Sequence, residues 1–190
     1  VWGSTDKPVS SKRLAELLSG EVDLEGTLYI GYPIIGTPEG SFPIDALLVS
    51  PSKGLVLFSV VEGRNLPNYA EVQDEGFNKM QAKLLQHQSL IHKRKLLVGI
   101  HTVTFAPAIA KLNDDAEHLV CNVDNLVAAI QNLDDFDPAV FPALVSVVQA
   151  ISTLRRGRKK RDLHNQNSRG SKIKTLEDSI ANLDSQQSAA

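Results

Sequence analysis

Ile44-Asp45-Ala46-Leu47-Leu48-Val49, then Pro51-Ser52-Lys53-Gly54, then Leu55-Val56-Leu57-Phe58 follow one another almost without interruption. Two Val- and Leu-rich runs joined by a Pro-x-x-Gly turn read as neighbouring antiparallel strands, over Phe42–Val49 and Leu55–Val61. The second run is apolar at nearly every position, which predicts burial on both faces. Asp45 breaks the pattern of the first. A carboxylate in an apolar strand is costly unless it is paired, metal-bound or near solvent.

Upstream, Gly26 to Ile35 carries Leu28, Ile30 and Ile34 and reads as a further strand, with Gly36-Thr37-Pro38-Glu39-Gly40 as a turn. Together the three strands form a meander. Before them, Ser10-Ser11 caps a short helix over 11–19, with Leu14, Leu17 and Leu18 on one face and Gly20 beyond its end. Downstream, Tyr69, Val72, Met80, Leu84 and Ile91 recur at helical spacing, predicting a long amphipathic helix over about 68–92. Strands follow at Leu96–Phe105 and His118–Val123. Asn122 or Asp124 caps a helix over Leu126–Asn132, and a last helix covers Pro138–Leu154. The order α-β-β-β-α-β-β-α-α implies an α/β (or α+β) fold with a mixed sheet flanked by helices.

The formal net charge of −2 conceals an asymmetry. Residues 1–150 hold 11 Lys+Arg against 18 Asp+Glu, and residues 151–190 hold 9 against 4. An acidic body of net −7 is joined to a tail of net +5. Arg155-Arg156-Gly157-Arg158-Lys159-Lys160-Arg161 forms a basic run, and Asn165–Ser171 reads as a polar spacer. The domain boundary is expected near 155. The single Cys121 excludes an intrachain disulfide framework and a cysteine zinc site, and fits a cytoplasmic setting. No apolar run reaches the ~20 residues of a membrane span, and the start lacks the order of a signal peptide. Without an initiator Met, the chain is expected to be a processed or excised piece. The histidines His87, His92, His101, His118 and His164 show no metal-ligand spacing, and no nucleophile elbow, zinc-helix motif or phosphate loop is present.

The acid-bearing strand, Pro-x-x-Gly turn and apolar strand resemble the nuclease-related domain of the PD-(D/E)XK, restriction-endonuclease-like superfamily. The resemblance covers roughly residues 10–105. It implies a restriction-endonuclease-like mixed sheet, in which two carboxylates hold a divalent metal such as Mg²⁺ and a Lys steadies the developing charge. Asp45 falls on the family's metal-binding Asp, and Glu16 on the acid of the first helix. The family's Glu-x-Lys falls here on Ser59-Val60-Val61, which cannot do that chemistry. Glu62-x-Arg64 lies three residues on, and an odd shift moves side chains to the other face of a strand. With Lys83, these residues complete the candidate catalytic and metal set of Asp45, Glu62 and Glu16. The departure implies a degenerate, inactive site. Plainer readings stand alongside: Asp45 as a strand-end residue with a backbone partner, Glu62 and Arg64 as a solvated loop pair, and Glu16 as a wet helix position.

Leu183-Asp184-Ser185-Gln186-Gln187-Ser188-Ala189-Ala190 resembles the Q motif that precedes the phosphate-binding loop of superfamily 1 DNA helicases. The family's adenine-contacting Gln falls on Gln187, whose amide can both donate and accept. Nuclease-related domains are known fused ahead of such motors. The resemblance therefore implies 1–154 as the nuclease-related domain, 155–174 as a basic linker, and 175–190 as the first step of an ATP-dependent motor in the same protein. The linker cations Arg155, Arg156, Arg158, Lys159, Lys160 and Arg161 either neutralise DNA phosphates or form a solvated connector. The expected function is a DNA helicase's accessory domain, inactive by itself. The alternatives are an active metal-dependent nuclease and a protein-interaction module with no DNA role.

Overall fold

The structure, a computed structural model, describes residues 1–21, 24–31, 35–37, 40–42, 44–66, 68–110 and 117–150, with the backbone alone for 35–37 and 40–42. The basic run from Arg155, the spacer and Gln187 lie outside the described residues, as do the tip of the expected turn at 38–39 and the end of the last helix.

The fold is mixed α/β. Helix α1 (Pro8–Ser19) leads into β1 (Thr27–Ile30), a small hairpin of β2 (Ile35–Thr37) and β3 (Gly40–Phe42), then β4 (Ala46–Ser50) and β5 (Gly54–Val60). Helix α2 (Tyr69–Leu84) crosses to a second hairpin, β6 (Ile91–His92) and β7 (Lys95–Leu96), and then to β8 (Ile100–Phe105). Strand β9 (Leu119–Cys121), helix α3 (Leu126–Gln131), a 3-10 turn over Pro138–Val140 and helix α4 (141–150) complete it. The main sheet runs β1-β4-β5-β8-β9. The β1, β4 and β5 neighbours are antiparallel, as the meander predicts, while β8 and β9 run parallel to β5.

The unbroken apolar run of β5 is explained by its central place. Leu55 and Leu57 point to one face, against Met80 and Leu84 of α2 and Leu144, Val147 and Val148 of α4. Val56, Phe58 and Val60 point to the other, against Leu14 and Leu18 of α1 and Leu126 and Ile130 of α3. Strand β4 alternates in step, with Leu47 and Val49 on the α2 face and Ala46 and Leu48 on the α1 face. Burying each large side chain contributes about 1.5–3 kcal/mol relative to leaving it in water.

Several boundaries differ from the sequence reading. Helix α1 begins at Pro8, whose missing N–H costs nothing at the first helical position. Its N-cap is Lys7, with no side-chain cap, and Ser10 and Ser11 are buried within the first turn. Helix α2 stops at Leu84, and the periodicity to Ile91 is carried on by a 3-10 turn and the β6–β7 hairpin. The strand expected over Leu96–Phe105 is split into β7 and β8. Where a strand running to Ile35 was expected, β1 ends at Ile30, and Ile35–Thr37 instead pairs antiparallel with Gly40–Phe42. The edge of β1 is met by the N-terminus: Gly3 N–H donates to Ile30 O at 2.7 Å, and Ile30 N–H donates to Val1 O at 2.9 Å.

The Pro51–Gly54 turn does more than reverse the chain. Lys53 Nζ donates to Leu133 O (2.8 Å) and Asp135 Oδ1 (2.7 Å), and Phe136 N–H donates to Ser52 O (2.6 Å). Gly54 has φ +71, and a Cβ there would lie 2.8 Å from Gly99 O. At Gly63, with φ +95, a Cβ would meet nothing within 4 Å. Both positions carry the left-handed penalty of roughly 1–2 kcal/mol for an L side chain, and Gly54 adds a clash. In urea denaturation, Gly54→Ala is expected to lose at least ~1 kcal/mol more than Gly63→Ala. Equal losses would show that the approach of β5 to Gly99 is not tight.

Candidate functional site

Asp45 immediately precedes β4, and Glu62 follows β5 by two residues. Because these strands are antiparallel, both acids stand at the same end of the sheet. Continuing the Ala46↔Phe58 register by one residue sets Asp45 across from Ser59. The Asp45 carboxylate is only 16% exposed. Its Oδ2 accepts from Val60 N–H and from Lys7 Nζ, each at 2.7 Å. Its backbone carbonyl accepts from Gly31 N–H at 2.8 Å. One residue therefore joins the end of β1, the end of β5 and the start of α1. Charge-assisted bonds of this kind offset the cost of placing a carboxylate in a mostly apolar setting.

Glu62 supplies what α1 lacks. Its Oε2 accepts from Ser10 N–H at 3.1 Å, capping from a distance a helix whose N-cap residue provides no side-chain bond. The positive end of the helix dipole favours a carboxylate there. The three-residue displacement from Ser59 decides which face each residue serves. Ser59 shares a cleft with Asp45, Gln73 and Thr102 on the α2 side, and Glu62 reaches α1 on the other. Lys7 and Ser10 lie within one turn of α1, so the two acids converge on the same turn through different bonds.

The remaining candidates do not join them. Glu16 is exposed on α1, beside Arg13 (3.5 Å) and Lys12 (3.9 Å), off the face formed by Ser10, Ser11, Leu14 and Leu18. Arg64 is an exposed loop residue, and Lys83 Nζ lies 3.4 Å from Gln86 Oε1. Among the described residues, no three His, Cys, Asp or Glu side chains come together to hold a metal. The donor set at Asp45 does not suit a divalent ion: the Lys7 ammonium lies against one carboxylate oxygen, the residue opposite is a neutral Ser, and Glu62 is engaged in capping.

Sequence reasoning missed Lys7 and Gln73. Gln73 is 3% exposed. Its Nε2 donates to Thr104 Oγ1 and Leu119 O, both at 2.9 Å, and its Oε1 accepts from Thr102 Oγ1 at 3.2 Å. One amide thus ties α2 to β8 and β9 with donors and acceptors matched. The available signal was a polar residue on the inward face of an amphipathic helix, opposite a strand with alternating Thr. The cleft beside it is only about 30 Å³, far below the roughly 300 Å³ at which small-molecule sites begin. Burial pushes the Cys121 thiol up to about 11, so it stays protonated and unreactive near neutrality. Burial also lowers the pKa of His101, more than neighbouring Asp134 raises it. No described helix is long and apolar enough to cross a membrane.

Comparison with known proteins gave no match: no family model, no curated protein and no solved structure.

The arrangement reads as a structural joint. Asp45→Ala leaves Val60 N–H and Lys7 without their shared acceptor, and is expected to cost about 2–3 kcal/mol in denaturant unfolding. Lys7→Met alone is expected to cost about 1 kcal/mol, with a coupling of at least ~0.5 kcal/mol in the double-mutant cycle. Additive losses would show that the ion pair contributes nothing of its own.

Proposed function

We propose that this chain carries a nuclease-related domain of the restriction-endonuclease-like superfamily that has lost its cleavage chemistry and serves as an accessory domain ahead of a superfamily 1 DNA helicase motor. The observation that carries the loss of cleavage is the pairing at the end of the sheet: Asp45 faces Ser59 and is held by Lys7 and Val60. A two-carboxylate metal site needs an acid at the facing position and a free carboxylate edge. The order of helix, antiparallel meander, crossover helix and parallel strand supports the superfamily reading. The helicase reading rests on the Q-motif-like stretch ending at Ala190, with Gln187 on the adenine, and on the basic run before it. In that reading ATP is the motor's substrate, DNA is the partner of Arg155–Arg161, and the folded body positions DNA or proteins for the motor.

Two measurements on the chain test this. Plasmid and single-stranded DNA incubated with Mg²⁺ or Mn²⁺ are expected to remain intact. Cleavage abolished by Asp45→Ala would establish an active nuclease instead. DNA affinity is expected to fall steeply with salt, by roughly 10³-fold between 50 and 200 mM if six phosphates are neutralised. Replacing the six cations Arg155, Arg156, Arg158, Lys159, Lys160 and Arg161 by Ala should remove that dependence. DNA binding that is absent or insensitive to salt would overturn the DNA role of the tail.

A further inference from the structure

The β6–β7 hairpin carries three consecutive cations, Lys93, Arg94 and Lys95, all exposed, on a body whose first 150 residues have a net charge of −7. None of the three is ion-paired among the described residues. The two residues at the tip, Lys93 and Arg94, have φ +47 and +66. A two-residue hairpin turn with both φ values positive ordinarily selects Asn-Gly or Asp-Gly. Long, branched or charged side chains gain nothing locally from that conformation, and such strain concentrates where side chains must be presented. Here the strain holds two cations at the tip of a short, fixed hairpin.

Beside the hairpin runs a groove of about 380 Å³, lined on one wall by Phe77, Gln81 and Leu85 and on the other by Arg94, Leu96 and Val98. Phe77, Gln81 and Leu85 are four residues apart, so they form one stripe along α2 about 12 Å long at 1.5 Å per residue. Leu85 is 43% exposed. An apolar floor two helical turns long, with cations on one rim and no acid in its lining, has the shape and charge of a helix-in-groove site. The strands of the hairpin are two residues long, too short to template an added strand, which disfavours an extended peptide. One aromatic side chain gives no stacking platform for successive bases, which disfavours single-stranded nucleic acid.

We propose that this groove docks an amphipathic helix of a partner protein whose apolar face is flanked by acidic residues. The apolar side chains seat on Phe77, Leu85 and Leu96, and the carboxylates meet Lys93, Arg94 and Lys95. This uses neither the Asp45 joint nor the basic tail, and it stands whether or not the chain belongs to a helicase.

The test uses the full chain and a fluorescein-labelled, Ala-based peptide of about 16 residues with Leu along one helical face and Glu along its flank. Fluorescence anisotropy is read near physiological salt, about 0.15 M. Arg94→Glu with Lys95→Glu is expected to weaken binding roughly tenfold or more, and Leu85→Ser roughly fivefold. All three positions are exposed, so the fold should survive, and circular dichroism checks it. A peptide with Ser in place of Leu is expected to lose most of its affinity. Equal binding by the groove variants and the native chain would place the interaction on the tail and overturn the proposal. Equal binding of the Ser peptide would reduce it to polyanion attraction and also overturn it. So would a single-stranded oligonucleotide whose binding is lost in the groove variants while the peptide's is not.

Discussion

The Asp45 carboxylate is the constraint on which the arrangement of this protein turns. Its Oδ2 receives the Val60 amide from the end of β5 and the Lys7 ammonium from the start of α1, and its carbonyl receives Gly31 at the end of β1. Glu62 adds a second acid to the same helix turn. Helix α1 lacks a side-chain cap of its own, so its N-terminus is organised from the sheet. A charge that would be a liability in an apolar strand thereby sets where the helix docks. The proposed loss of nuclease chemistry rests on the same end of the sheet, where the neutral Ser59 lies across from Asp45 and the Lys7 ammonium sits against its Oδ2.

The rest of the fold is distributed about β5. Its two apolar faces require a helical layer on each side, and the chain supplies α2 with α4 on one and α1 with α3 on the other. The switch from antiparallel to parallel pairing falls at β5 as well, because α2 provides the crossover needed to bring β8 alongside it. Gln73 fixes that crossover through three hydrogen bonds to β8 and β9. The buried amide and the groups it meets on β8 and β9 are thus matched to one another.

The meander was legible because its signals are local: β-branched and Leu-rich runs, a Pro-x-x-Gly turn, and an uninterrupted apolar strand that must be central. The long helix was legible in kind but not in length. Ile91 fits a helical period, yet Lys93-Arg94 adopts a hairpin turn that no Gly or Asn announces, and tertiary packing overrode the periodicity. Ser10-Ser11 reads as the cap of α1 because local capping is the usual solution. The actual partner, Glu62, is 52 residues away, and nothing in the spacing reveals it. Asp45 stood out by its cost, but sequence could not decide between a metal and a backbone partner. That choice depended on Lys7, a residue before a proline that carries no motif. The groove was invisible for a similar reason, since it needs the hairpin that the helical reading absorbed.

Native-state hydrogen exchange at two amides tests the account most directly. Val60 and Ser10 donate to Asp45 and Glu62 respectively, and the joint is held to couple them across the end of the sheet. In Asp45→Asn, the amide can still accept from Val60 but no longer pairs with Lys7 as a charge. Ser10 and its neighbours in the first turn of α1 are then expected to lose protection by roughly tenfold, while the amides of α3 keep theirs. Unchanged protection in that turn would contradict it, and would leave Asp45 as a local strand-end residue rather than the anchor of the helix.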